Sequence, residues 1–137
     1  MDLMPGMAIS ASGLEAERIR MEVASHNLAN TQTTKDVNGG AYQRRQVVFA
    51  EKLSESINGS SLNGVEVSDV IRDQRAAIER YQPWHPDSDE NGFVKYPDIS
   101  AIEEMLDIMT ATRAYEANLT AMKQSKQMVE QTISRLG

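Results

Sequence analysis

Toward its C-terminus the chain carries an apolar ladder: Met105, Ile108, Thr112, Tyr115, Leu119, Met122, Lys126, Val129, Ile133 and Leu136 follow alternating steps of three and four. Near the N-terminus, Met7, Leu14, Met21 and Leu28 recur at every seventh position, with Ala11 on one intermediate rung. A stripe of this period lies along one side of a helix, and a seam this narrow needs a second helix to cover it. Two such seams at opposite ends imply termini that find each other or find neighbouring copies. Periodicity alone does not name the partner, so an intramolecular helix hairpin accounts for the same stripes. Thr112 and Lys126 interrupt the C-terminal seam; polar residues on such rungs fix register and partner number at some loss of stability.

The breaker pair Pro5-Gly6 predicts a first helix that starts just after it and runs to about Asn30, roughly 35 Å. Gly13 weakens this helix by about 1 kcal/mol relative to Ala. The run from Asn27 to Thr34 ends it, because short polar side chains compete for backbone hydrogen bonds. The last helix is bounded by a capping box, Ser100 with Glu103. Glu103, Glu104 and Asp107 crowd its first turns while Lys123, Lys126 and Arg135 lie late, which complements the helix dipole. Adjacent helix residues point in different directions, so Glu103-Glu104 reads as a dipole pair rather than as an acid and a base. No Pro or Gly interrupts residues 100–136, a stretch of roughly 55 Å if continuous.

Between the helices the pattern changes. All four Asn-Gly pairs fall here, at 38–39, 58–59, 63–64 and 91–92, and each can supply the positive φ of a tight hairpin turn. Short β-like runs lie between them: Tyr42 to Phe49, Val65 and Val67, Val70-Ile71, and Phe93 to Tyr96. Lys52 to Ser61 reads as a polar loop. The expected organisation is mainly α with a small irregular β middle: residues 1–34 as an N-terminal helix, 35–99 as a β-rich and loop module, and 100–137 as a C-terminal helix. The two helices are expected to pair as a coiled coil.

Composition sets limits on function. The chain has 137 residues, 40% apolar, with only two Phe and one Trp, so the expected core is modest and partly completed by other subunits. Eight Met supply adaptable apolar contacts suited to helix seams. The formal charge is -6 and only Arg44-Arg45 are adjacent cations, against a nucleic-acid partner. With no cysteine there is no disulfide, thiolate metal site or cysteine nucleophile. The opening Met1 to Gly6 lacks the basic start and apolar core of a cleavable signal, and no apolar run approaches the ~20 residues of a membrane span.

Residues 87 to 92, Asp-Ser-Asp-Glu-Asn-Gly, match the first half of a calcium loop. Pro83 and Pro86 flank Trp84 and His85 and spoil an entering helix, Asp98 is short for the closing ligand, and Lys95 brings a cation. A structural turn at Asn91-Gly92 is the better reading. His26 and His85 have no convergent partners in the pattern, and no nucleophile elbow or phosphate loop is present. The residues point away from an enzyme, and neither a metal nor another cofactor is expected.

Several blocks together resemble the bacterial flagellar basal-body rod proteins, most closely proximal-rod proteins of the FlgC type. They are Ile9 to Leu14, Ala24 to Thr31 with its Asn-Leu-Ala-Asn step, and Gly39 to Phe49. The most specific runs from Pro86 to Pro97 and is followed by Glu104-Met105, Met109 and Arg113 to Asn118. Ala41 stands where the family pattern has proline, and Ser88 where alanine is common. The resemblance implies a non-enzymatic subunit, made in the cytoplasm and exported without signal cleavage by the flagellar type III apparatus. It would polymerise into the hollow periplasm-spanning rod of the basal body, which transmits torque. Implied partners are copies of itself, other rod proteins including distal-rod subunits, and the rod–membrane-ring adaptor, with no direct membrane insertion. Free monomers of such proteins tend to have poorly ordered ends.

Mapped onto this chain, the resemblance gives the assembly seam to Met7, Leu14, Met21, Leu28, Met105, Ile108, Tyr115, Leu119, Met122, Val129, Ile133 and Leu136. Asn27, Asn30, Arg113 and Asn118 would be polar register contacts. Two other readings use the same residues: a cytoplasmic coiled-coil adaptor, and a calcium-binding module centred on residues 87–98.

Overall fold

A computed structural model describes residues 4–54 and 62–137. Its elements are α1 (Met4–Ala29), β1 (Arg45–Ser54), β2 (Leu62–Arg72), β3 (Ile78–Tyr81), β4 (Phe93–Tyr96) and α2 (Ala101–Leu136). The chain is thus two long helices flanking a small β middle.

Met4 is already helical, so Pro5-Gly6 lies inside the first turn of α1 rather than ahead of it. The first N–H groups of a helix have no partner within it, and a proline there forfeits no hydrogen bond. Asn30 closes the other end: its N–H and its Nδ2 both donate to the His26 carbonyl, at 3.1 and 2.8 Å. Ser100 caps α2, its Oγ accepting from the Glu103 N–H at 3.4 Å.

The two helices run antiparallel along each other. A Cβ added to Gly6 would lie 3.9 Å from Ser125 Oγ, and one added to Gly13 would lie 2.9 Å from the Asn118 amide. At the far end Asn27 Nδ2 donates to Glu104 at 3.2 Å. Seven residues along α1 are therefore matched by seven back along α2, and the close approach at Gly13 requires the missing side chain. Among the described residues, the buried apolar ones of both helices are alanines, Ala16, Ala24 and Ala111. Small side chains remove little apolar area from water, so this interface draws modest hydrophobic stabilisation.

β1 and β2 form a long antiparallel hairpin, Arg45 opposite Arg72 and Ser54 opposite Leu62. Ser68 is unpaired at a bulge, where its Oγ donates to the Val48 carbonyl at 3.1 Å. The hairpin lies along α1: Val65 N–H donates to Ser12 Oγ at 3.1 Å, and Gly64 sits where a Cβ would meet that oxygen at 2.8 Å. Asn63-Gly64 is accordingly not a turn, as its type predicts, but part of β2. Close packing against α1 is the use of its glycine. Lys52 to Ser54, read from polarity as loop, continue β1 through their pairing with β2. Asn58-Gly59 lies outside the described residues. β3, not anticipated from its sequence Ile-Glu-Arg-Tyr, pairs antiparallel with β4.

Candidate assembly interface

The face that α2 turns toward α1 has the expected period but different rungs. Its buried and half-buried positions include Glu104, Ile108, Ala111, Tyr115, Asn118, Met122, Ser125 and Val129. Ile108, Tyr115, Met122 and Val129 belong to the ladder read from hydrophobicity. The rungs between them are set one residue earlier than Met105, Thr112, Leu119 and Lys126. Thr112 and Leu119 are half-buried beside this face, Met105 and Lys126 exposed. Thr112 Oγ1 reaches Met21 Sδ at 3.3 Å and donates to the Ile108 carbonyl at 2.7 Å. Met7, Leu14, Met21 and Leu28 of α1 are all half-buried.

The first displaced rung, Glu104, is held by polar partners that hydrophobicity does not register. Glu104 and Asn27 are each 1% exposed. Asn27 uses its whole amide: Nδ2 donates to Glu104 and, at 2.8 Å, to the Arg45 carbonyl, while Oδ1 accepts from Tyr42 Oη at 3.0 Å and Arg45 N–H at 2.9 Å. Arg44 Nε donates to the other Glu104 oxygen, and the Arg44 guanidinium also lies 3.8 Å from Asp73, itself paired with Arg75 at 2.9 Å. Glu104 is therefore an ion-paired, buried residue; the dipole argument suffices for Glu103 only. Burial raises the Tyr42 hydroxyl above the ordinary tyrosine value, against the opposing pull of Arg45. One turn farther along α2, Asp107 pairs with Arg20. Burial opposes the Arg20 charge, but Asp107 and Glu17 hold its pKa above the usual arginine value. Together these contacts clamp α1, α2 and the start of the hairpin.

The other polar residues singled out by resemblance are placed separately. Asn30 closes α1, with its Oδ1 accepting from Thr33 Oγ1 at 3.0 Å. Asn118 faces Gly13 and donates to the Ala114 carbonyl at 3.0 Å, whereas Arg113 is exposed. Asn91-Gly92 forms a turn in which Gly92 has φ 85° and Asp89 Oδ1 accepts from the N–H groups of Asn91 and Phe93 at 2.9 and 2.8 Å. Asp87 accepts from Thr34 Oγ1 at 2.7 Å and its N–H donates to His85 Nδ1 at 3.0 Å. The Asp89 carboxylate thus holds the loop's own donors, while that of Asp87 ties the loop to Thr34. Among the described residues no three acidic or histidine side chains converge on a metal-sized point, and no helix is long and apolar enough to cross a membrane.

Among the described residues, exposed apolar side chains cluster on two parts of α2. On the side away from α1, Ile102, Met105, Leu106 and Met109 form an exposed apolar patch. At the C-terminal end the helix runs beyond the level of Met4. There Ile133 and Leu136, which continue the stripe through Met122 and Val129, are 65% and 84% exposed.

Two known protein families match these helical blocks. Residues 7–34 match the family "Flagella basal body rod protein", and residues 90–136 match "Flagellar basal body rod FlgEFG protein C-terminal". The flagellar basal-body rod protein FlgC of Borreliella burgdorferi is 33% identical, with 99% of each chain covered. The chain belongs to the FlgC family of flagellar basal-body rod proteins. Other FlgC relatives agree: that of Bacillus subtilis is 40% identical over 88% of this chain and 89% of its own, and that of Salmonella typhimurium 35% over 92% of each. The two rod-family matches fall on α1 with its closing turn and on β4 with α2. The β1–β2 hairpin lies outside both.

Proposed function

We propose that the chain is a structural subunit of the proximal rod in the flagellar basal body, polymerising through the faces of α2 that its own α1 leaves bare. The observation that carries this reading is the exposed apolar surface of α2, Ile102 to Met109 on one side and Ile133 with Leu136 at the end, on helical blocks that match rod families. Apolar surface of this kind gains free energy when a neighbour removes it from water, at roughly 25 cal/mol per Å². In the assembled rod the helix pair would tighten into a coiled coil lining an export channel, with the β middle touching neighbouring subunits. Partners in this reading are copies of the chain, distal-rod subunits and the rod–membrane-ring adaptor, all delivered by type III export. Half-buried seam residues such as Leu14 and Tyr115 hold the helix pair together, while Met105, Ile133 and Leu136 are left for neighbours.

The test is a chromosomal Leu106→Asp or Ile133→Asp change. Both sites are exposed, so the free chain should keep its helix content and lose no more than about 0.5 kcal/mol of stability. Loss of motility and absence of the chain from purified basal bodies is the expected result. Normal swimming with normal incorporation in both variants contradicts the reading, and a wild-type chain found only among soluble proteins favours the adaptor instead.

A further inference from the structure

The loop between β3 and β4 is held at its stems and steered near its middle by one imidazole. Gln82 N–H donates to the Gly92 carbonyl at 2.8 Å, and Tyr96 Oη donates to Gln82 Oε1 at 2.7 Å. Ser88 N–H donates to the carbonyl of the half-buried His85 at 3.1 Å. Inside this frame the Asp87 N–H donates to His85 Nδ1 at 3.0 Å, as in an Asx turn with a ring nitrogen in place of the side-chain oxygen. The Asp87 carboxylate in turn accepts from Thr34 Oγ1 at 2.7 Å. The neighbouring Thr33 carbonyl accepts from the Tyr42 N–H at 3.1 Å. The Asp87–Thr34 contact therefore fastens the loop to the segment that leads from α1 to the buried clamp.

An imidazole nitrogen accepts a hydrogen bond only while it carries no proton, so this arrangement requires a neutral ring with its hydrogen on Nε2. Protonation makes both ring nitrogens donors and sets Nδ1 against the Asp87 N–H. The carboxylate of the same residue is then the natural acceptor, because a bond between two charged groups is stronger than one to a threonine hydroxyl. The other ionisable groups nearby are differently engaged. Tyr96 of β4 meets the imidazole edge-on, with ring centroids 6.4 Å apart, and Arg80 of β3 stacks on that Tyr96 ring at 4.9 Å. Asp89 is turned to the N–H groups of Asn91 and Phe93, while Glu90, Lys95 and Asp98 are exposed. Lys35 and Asp36 follow Thr34 on the facing segment.

We propose that His85 is a proton-operated latch on this loop. In the neutral state it holds the Asp87 backbone so that the carboxylate rests on Thr34. In the protonated state the N–H turns away, the carboxylate moves to the imidazolium, and the loop parts from the segment after α1. Histidine changes charge between about pH 5 and 8, above the ordinary carboxylate range, so the latch is closed on the alkaline side and open on the acid side. The device uses a local charge change to select between two arrangements of one carboxylate. It stands independently of the rod-subunit reading.

NMR titration of the full chain is the test, following the His85 ring, the Asp87 amide and the Thr34 side chain. In the wild type all three signals should move together with one midpoint, and the amides of residues 87–92 should exchange several-fold faster on the acid side after correction for intrinsic rates. His85→Asn keeps an acceptor for the Asp87 N–H but does not titrate, so the Asp87 and Thr34 signals should stay flat across the same range. Asp87→Asn removes the charge that is transferred: His85 should still titrate while Thr34 no longer responds. A Thr34 signal that ignores the His85 titration in the wild type, or an acid step at Thr34 that survives in His85→Asn, overturns the proposal. Should His85→Asn lose helix content by circular dichroism, the wild-type midpoints and the Asp87→Asn chain decide the matter.

Discussion

The two ends of the helix pair differ in how they are completed. At one end Asn27 and Glu104 are buried, every amide atom of Asn27 is used, and Arg44 and Tyr42 bring in the segment leading to the hairpin. At the other, the stripe that α2 turns toward α1 continues past the level of Met4 and leaves Ile133 and Leu136 in water. A polar clamp has strict geometry, because a register slip would strand a buried carboxylate; apolar surface is tolerant of which neighbour covers it. The contrast assigns internal register to the clamped end and adhesion between subunits to the open one.

The largest expected effect breaks the clamp. Glu104→Ala leaves the Arg44 guanidinium without its buried partner and should lose about 3–5 kcal/mol in urea denaturation. Ile133→Ala at the open end should lose no more than about 0.5 kcal/mol. Equal losses would erase the distinction. Next, Tyr42→Phe removes the hydroxyl that donates to Asn27 and should lose about 1 kcal/mol near neutral pH. Because the folded-state pKa of Tyr42 is raised, its contribution is complete below the ordinary tyrosine value and disappears as pH rises through the raised one. The wild type should therefore show an alkaline loss of stability that the Phe variant lacks.

A smaller effect sharpens the comparison along the shared interface. Gly13→Ala gains up to about 1 kcal/mol of helix propensity but pushes on Asn118. In a double-mutant cycle with Asn118→Ala the gain should be released, giving a coupling of about 0.5–1 kcal/mol. Strict additivity would mean the helices are not in contact there. The smallest effect lies on the solvent face, where hydrogen bonding to Arg18 lowers the Glu15 pKa. A depressed carboxylate contributes above its ordinary value and ceases to as pH falls through the lowered one. Glu15→Gln should flatten that acid limb slightly, and salt should mask the difference.

Much of this was legible in the residues. Ser100 as cap, an uninterrupted 100–136 and the seven-residue step through Ile108, Tyr115, Met122 and Val129 define α2 and its partnered side. The intervening rungs were not legible, because Glu104, Asn118 and Ser125 are polar and Ala111 is small. The burial of Glu104 depends on Asn27 and Arg44, and that of Asn118 on Gly13, all far away in sequence. Asn63-Gly64 has turn chemistry but serves close packing against Ser12, a tertiary demand that overrides local preference. β3 has no alternating pattern, and only its pairing with β4 makes it a strand. The exposed patch from Ile102 to Met109 was within reach, since its spacing by three and four is visible beside the main ladder.

The most direct measurement is amide hydrogen exchange on the full chain, free and within purified basal bodies. In the free chain, residues 104–118 of α2 should be protected and 129–136 should exchange much faster, with that end becoming protected in the assembled rod. Equal protection of both ends in the free chain, unchanged on assembly, would contradict the division between a clamped end and an open one.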